Sequence, residues 1–176
     1  LALSGGYLLY RGASGKCSVY DQLTKANEQL SPIIIETSLE VDKPREEVYA
    51  FWRNLQNLPL FMRHIKSINE LDAKRSVWEL DVPGNLADIS WEARIVKEDK
   101  NNFLSWSSAE DAVIENSGRI SFADLPDKKG TRLDVFISYR PPVSALGSGI
   151  AKLLNPVFRK MIANDVAGFK TYIEKT

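Results

Sequence analysis

Cysteine, histidine and surplus charge are what this 176-residue sequence has least of. Its one cysteine, Cys17, cannot close an internal disulfide, and no Cys/His cluster has zinc spacing. A reducing compartment and a core held together without metal or cofactor are therefore expected. Lys and Arg total 23 and Asp and Glu total 23, so no general attraction to nucleic acid follows. There is no Gly-x-Ser-x-Gly elbow and no Cys/His pairing for nucleophilic catalysis. Gly147-Ser-Gly149 follows no strand of the kind that a phosphate-cradling loop requires.

What is present is a real core: 44% of residues are apolar and 10% aromatic. The first residue is Leu1 rather than Met, which suggests a chain cut from something longer. The apolar stretch Leu1 to Tyr10 is too short to span a bilayer, which takes ~20 residues. It reads either as the end of a membrane-spanning helix or as an amphipathic docking helix. Gly5, Gly6 and Tyr10, followed by Arg11, Lys16 and Lys25, suit a segment leaving a membrane on its cytoplasmic side. Residues 11–31, with a short helical stretch from Tyr20 to Leu30, form a linker that ends at Ser31-Pro32. Two units are thus expected: an N-terminal linker over 1–31 and a domain over 32–176.

The domain opens with a β-branched strand, Ile33 to Val41. A helix with Asp42 as N-cap then carries Val48, Phe51, Trp52 and Leu55 on one face. Asn57-Leu-Pro59 interrupts it, and a second short helix holds Leu60, Phe61 and Met62. From Ile65 the period becomes two. Six strands are predicted, over 65–71, 76–82, 88–98, 103–108, 117–122 and 131–140, joined by short links that make antiparallel neighbours. Arg140-Pro141-Pro142 ends them, an amphipathic stretch runs from Val143 to Leu154, and Asn155-Pro156 starts a final helix over 157–175.

Strand parity separates two faces. Trp78, Leu80, Ile89, Trp91, Ala93, Ile95, Leu104, Trp106, Ile120, Phe122, Leu133, Val135, Ile137 and Tyr139 fall on one. Glu79, Glu92, Arg94, Arg119, Arg132 and Asp134 fall on the other. One face is covered and one is wet, and only the last helix can cover the first. Its own stripe of Leu153, Leu154, Val157, Met161, Ile162, Val166, Phe169 and Ile173 matches that task. The fold class is α+β, with a seven-stranded antiparallel sheet wrapped around a long C-terminal helix and two short helices after the first strand.

Particular segments add to the pattern. Val48-Tyr-Ala-Phe-Trp52 with Asn57-Leu-Pro-Leu-Phe-Met62-Arg-His64, then Ser90-Trp-Glu-Ala93, Leu104-Ser-Trp-Ser107, residues 115–122, Tyr139-Arg-Pro-Pro142 and Ile162-Ala-Asn-Asp165-Val-Ala-Gly-Phe169 stand in this order. As a set they resemble the polyketide cyclase/dehydrase-like members of the START-like (SRPBCC) superfamily, over about residues 33–175. The resemblance implies a helix-grip fold with a cavity between sheet and helix. Residues 10–20 look like the end of a small bacterial inner-membrane module, which implies a cytoplasmic domain tethered by a segment upstream of residue 1.

Such a cavity would be walled by Trp78, Leu80, Trp91, Trp106, Phe122 and Tyr139 from the sheet. Trp52, Phe61 and Met62 would contribute from the short helices, and Leu146, Ile150, Leu154 and Met161 from the C-terminal segments. The same side chains read equally as core. His64 is the only histidine and so the obvious acid or base, yet no Asp or Glu is identifiable from spacing as its partner, and a structural or surface role fits better. Tyr139, near the end of the last strand, has the better position for a ligand. Two functions remain open: binding or transport of a hydrophobic small molecule (a lipid, quinone or polyketide-like compound), and a cyclase or dehydratase acting on a similar substrate. A third, weaker reading is a tethered domain with a collapsed cavity that only contacts other proteins.

Overall fold

A computed structural model describes residues 32–81, 89–126, 129–140 and 156–176. The expected 1–31 segment, the 143–154 amphipathic stretch, and Leu146, Ile150 and Leu154 lie outside the described residues. Seven strands form one antiparallel sheet: β1 (Ile33–Val41), β2 (Ile65–Glu70), β3 (Arg75–Leu80), β4 (Ser90–Asp99), β5 (Phe103–Ser108), β6 (Glu115–Asp124) and β7 (Thr131–Arg140). Their spatial order is β1-β7-β6-β5-β4-β3-β2, so β2 to β7 meander and β1 closes against the last strand. α1 (Arg45–Arg53) and a 3-10 helix (Leu55–Leu60) make the passage from β1 to β2, and α2 (Pro156–Ile173) covers the inner face. Among the described residues, no helix is long and apolar enough to cross a membrane.

Parity is as the alternation predicts. Trp78, Trp91, Trp106, Leu133, Val135, Ile137 and Tyr139 are buried, while Glu92, Arg94, Arg119, Arg132 and Asp134 are exposed. β6 is longer than expected because it pairs with β7 from Glu115↔Arg140 to Asp124↔Thr131, so charged ends are carried along by the ladder. A bulge in β4 between Ile95 and Lys97 stops the alternation after Val96, which parity alone puts on the exposed face.

Two helix boundaries differ from expectation. Asp42 is not the N-cap: α1 begins after Pro44, whose carbonyl accepts from Glu47 N at 3.0 Å and Val48 N at 3.1 Å. A residue before proline is driven out of the helical region, so the helix cannot start at Lys43. The Asp42 amide instead donates to Glu174 Oε1, just beyond the end of α2, at 2.9 Å. The break after α1 falls at Asn54 rather than at Asn57-Leu-Pro59, and Pro59 lies inside the 3-10 helix. Asn57 Nδ2 donates to the Phe51 carbonyl at 3.0 Å, satisfying one of the acceptors that a helix end leaves open. Phe61 and Met62 follow that helix instead of belonging to it.

The three sheet tryptophans need room, and one glycine supplies it. Trp106 of β5 is directly opposite Gly118 of β6, and a Cβ on Gly118 would lie 2.1 Å from the indole ring. A rigid ring cannot yield as a flexible chain end does. Gly118→Ala is therefore expected to destabilise the fold by about 1–3 kcal/mol, as overpacking does. Thermal unfolding followed by tryptophan fluorescence checks this, and an unchanged Tm would show that the indole has another place to go.

Candidate functional site

The chain leaving the 3-10 helix turns tightly before β2. Ile65 N donates to Met62 O at 2.9 Å, and His64 O accepts from Asp81 N at 2.9 Å. This turn drives the His64 side chain inward, where it is fully buried. A surface role for His64 is thereby excluded. Tyr139 arrives by parity from the end of β7 and is also buried. Asp165 comes from α2, three residues beyond Ile162 and four before Phe169, on the stripe that faces the sheet.

These groups form one chain of hydrogen bonds. His64 Nδ1 is 3.0 Å from Asp165 Oδ2, and His64 Nε2 is 3.1 Å from the Tyr139 hydroxyl. Asp165 Oδ2 also accepts from the His64 amide at 3.3 Å, and Oδ1 accepts from Arg63 Nε at 3.1 Å. The Arg63 side chain is 78% exposed while the Asp165 side chain is fully buried, so this pair runs from solvent into the core. Burial pushes the Asp165 carboxyl up, but hydrogen bonds from His64 and Arg63 outweigh it and hold the group below its ordinary value. Ionised Asp165 can only accept, so His64 Nδ1 carries a proton, and in the neutral imidazole Nε2 is the acceptor for Tyr139 O–H. Burial, reinforced by the Asp165 charge, pushes the Tyr139 phenol well above its ordinary value.

The expected wall residues fall into two groups. Trp78 stacks on Trp91 and on Trp106, with ring centroids 6.0 and 5.8 Å apart. Trp91 meets Tyr139 edge to face at 6.3 Å, and Phe158 of α2 lies against both Tyr139 and His64 at 6.0 and 5.8 Å. Trp52 and Phe61 join instead a separate cluster with Phe51 and Phe169 that seats α2. Phe122 packs on Tyr49 at 5.6 Å, Leu80 and Met62 are buried, and Met161 is half-buried. The indoles also differ in their polar atoms. Trp78 Nε1 donates to Ser76 Oγ and Trp106 Nε1 to Asn116 Oδ1, whereas Trp52 and Trp91 Nε1 have no partner among the described residues.

Sequence reasoning missed Asp165 and Phe158. The signal for the first was an acid in phase with the apolar stripe of the last helix. Among the described residues no group of three or more His, Cys, Asp or Glu is placed to hold a metal ion. Three surface grooves, of about 580, 430 and 420 Å³, open elsewhere. The first lies along Tyr49, Arg53 and Glu98, where burial first and then the Glu98 hydrogen bond push the Tyr49 phenol up to about 12.

The profile of the family described as polyketide cyclase/dehydrase and lipid transport matches residues 41–170. The crystal structure of a Deinococcus radiodurans protein shares 33% identity and a TM-score of 0.65, over 81% of this chain and 97% of that one. A START superfamily protein from Mycobacterium smegmatis superposes with a TM-score of 0.57 at 13% identity, over 81% of this chain and 94% of its own. The Zhui aromatase/cyclase from a Streptomyces species gives 0.55 at 16% identity, over 82% and 90%. At such identities these last two are likenesses of fold. No curated protein matches.

The buried carboxylate makes a signed prediction. A carboxyl held below its ordinary value of ~4 stabilises the fold fully above that pH, and the contribution is lost as pH falls through the lowered value. Asp165→Asn should therefore be less stable than the parent by about 3 kcal/mol at neutral pH, with the gap narrowing below about pH 4. Denaturant unfolding across pH measures it, and a gap that widens in acid would contradict the assignment.

Proposed function

The chain belongs to the polyketide cyclase/dehydrase and lipid-transport family, and from that membership we propose that it holds a hydrophobic small molecule between the sheet and the final helix. The candidates are a lipid, a quinone or a polyketide-like compound. The observation that carries the reading is the stacked wall of Trp78, Trp91 and Trp106 running up to Tyr139 on the covered face. Apolar ligand sites are built from aromatic walls with few polar groups, and this one ends in a phenol. Leu146, Ile150 and Leu154 would complete the wall. A segment upstream of residue 1, joined through the 1–31 linker, would hold the domain at the cytoplasmic face of an inner membrane, within reach of such ligands.

A second reading, a cyclase or dehydratase, is favoured by the Asp165–His64–Tyr139 chain. An imidazole oriented by a buried carboxylate and bonded to a phenol is a means of moving a proton at a substrate oxygen.

Titration of the delipidated protein with an apolar probe should quench tryptophan fluorescence saturably, and native mass spectrometry of freshly purified protein should find a bound molecule. Neither quenching nor a bound mass would end the binding reading. For the enzyme reading, His64→Phe and Tyr139→Phe should each lower turnover of a poly-β-ketone thioester about 100-fold, with binding retained. Turnover unchanged in Tyr139→Phe would remove it.

A further inference from the structure

Donor and acceptor bookkeeping around Tyr139 points to the polar end of the ligand. Trp91 is 3% exposed, and its Nε1–H has no partner among the described residues, although a buried donor left unpaired costs about 1–3 kcal/mol. Its neighbours Trp78 and Trp106 on the same wall both have theirs. Tyr139 stands against the Trp91 ring and presents the opposite need. In the neutral imidazole, with Nδ1–H directed at Asp165, the Tyr139 proton goes to His64 Nε2. The phenol oxygen is left with lone pairs and no free proton, so toward a ligand it accepts.

We propose that this pole selects an apolar ligand ending in a hydroxyl, an alcohol or phenol whose oxygen takes the Trp91 N–H and whose proton goes to the Tyr139 oxygen. The inference rests on the binding reading above and adds the class of the ligand head group. A ketone or ether satisfies Trp91 only, and a bare hydrocarbon satisfies neither. Asp165 and His64 are positioning residues, since they set the direction of the Tyr139 proton without touching the ligand.

The test compares three probes of one shape: 2-naphthol, 2-methoxynaphthalene and naphthalene, titrated by tryptophan quenching and by calorimetry. Hydrophobicity alone would rank the ether above the phenol. The parent protein should reverse that order, binding 2-naphthol about tenfold more tightly than 2-methoxynaphthalene, as one added hydrogen bond implies. Tyr139→Phe should bring the ratio back to one or below, and Trp91→Phe should weaken the phenol and the ether alike. If the parent binds all three with the hydrophobic ranking, the head-group assignment is overturned, a water then filling the place, while the binding reading stands. If none of the three binds, the binding reading itself fails and the assignment falls with it.

Discussion

A carboxylate on the inward side of a covering helix is the constraint to which the rest of the structure answers. Asp165 is fully buried, and a buried charge is tolerated only when its lone pairs are met. Here the donors come from two consecutive residues, Arg63 and His64, and His64 passes the constraint on to Tyr139. One acid therefore joins the covering helix to the start of β2 and the end of β7. Sliding the helix by one residue would rotate the carboxylate away from all of these donors, so the acid sets the helix register with a specificity that apolar packing alone lacks. At its far end α2 is fixed again, by Lys170 Nζ on the Glu40 carbonyl at 2.6 Å and by Glu174 on the Asp42 amide.

Between these anchors the aromatic side chains divide the covered face. Trp52, Phe61, Phe51 and Phe169 interlock at centroid distances of 4.9 to 6.2 Å and seat the helix by their packing. The sheet tryptophans stack on each other, so the wall they make is largely supported from within the sheet. All three indoles are buried. Tyr139 at the end of the wall, bonded to His64, brings a polar group to a largely apolar surface.

The strands were legible because period-two alternation is a local property: β1, β5 and β7 begin and end where their residues predict, and Tyr139 could be placed on the covered face by counting. The resemblance over about 33–175 agrees with the family match over 41–170. The His64–Asp165 pair was not legible. It joins residues about a hundred positions apart and depends on the rotational phase of a helix against a sheet, which no local pattern encodes. Asp165 stood in plain view within an apolar stripe, yet a single acid there reads as an ordinary interruption until its partner is known. The second short helix was placed too late, at Leu60 to Met62, for a different reason: proline usually ends a helix, but three-residue hydrogen bonding accommodates Pro59.

The pairing of β1 with β7 also has a kinetic side. Ile33 meets Tyr139 across almost the whole length of the domain, and the other seven-strand neighbours all lie close in sequence. On a ribosome the meander from β2 onward can assemble as it emerges, but β1 must wait unpaired until the last strand is made, and the covering helix comes later still. For that interval the indole-rich face has no cover. The nascent domain is thus most adhesive just before it is complete, and its solubility depends on how soon the final eighteen-residue helix closes over it.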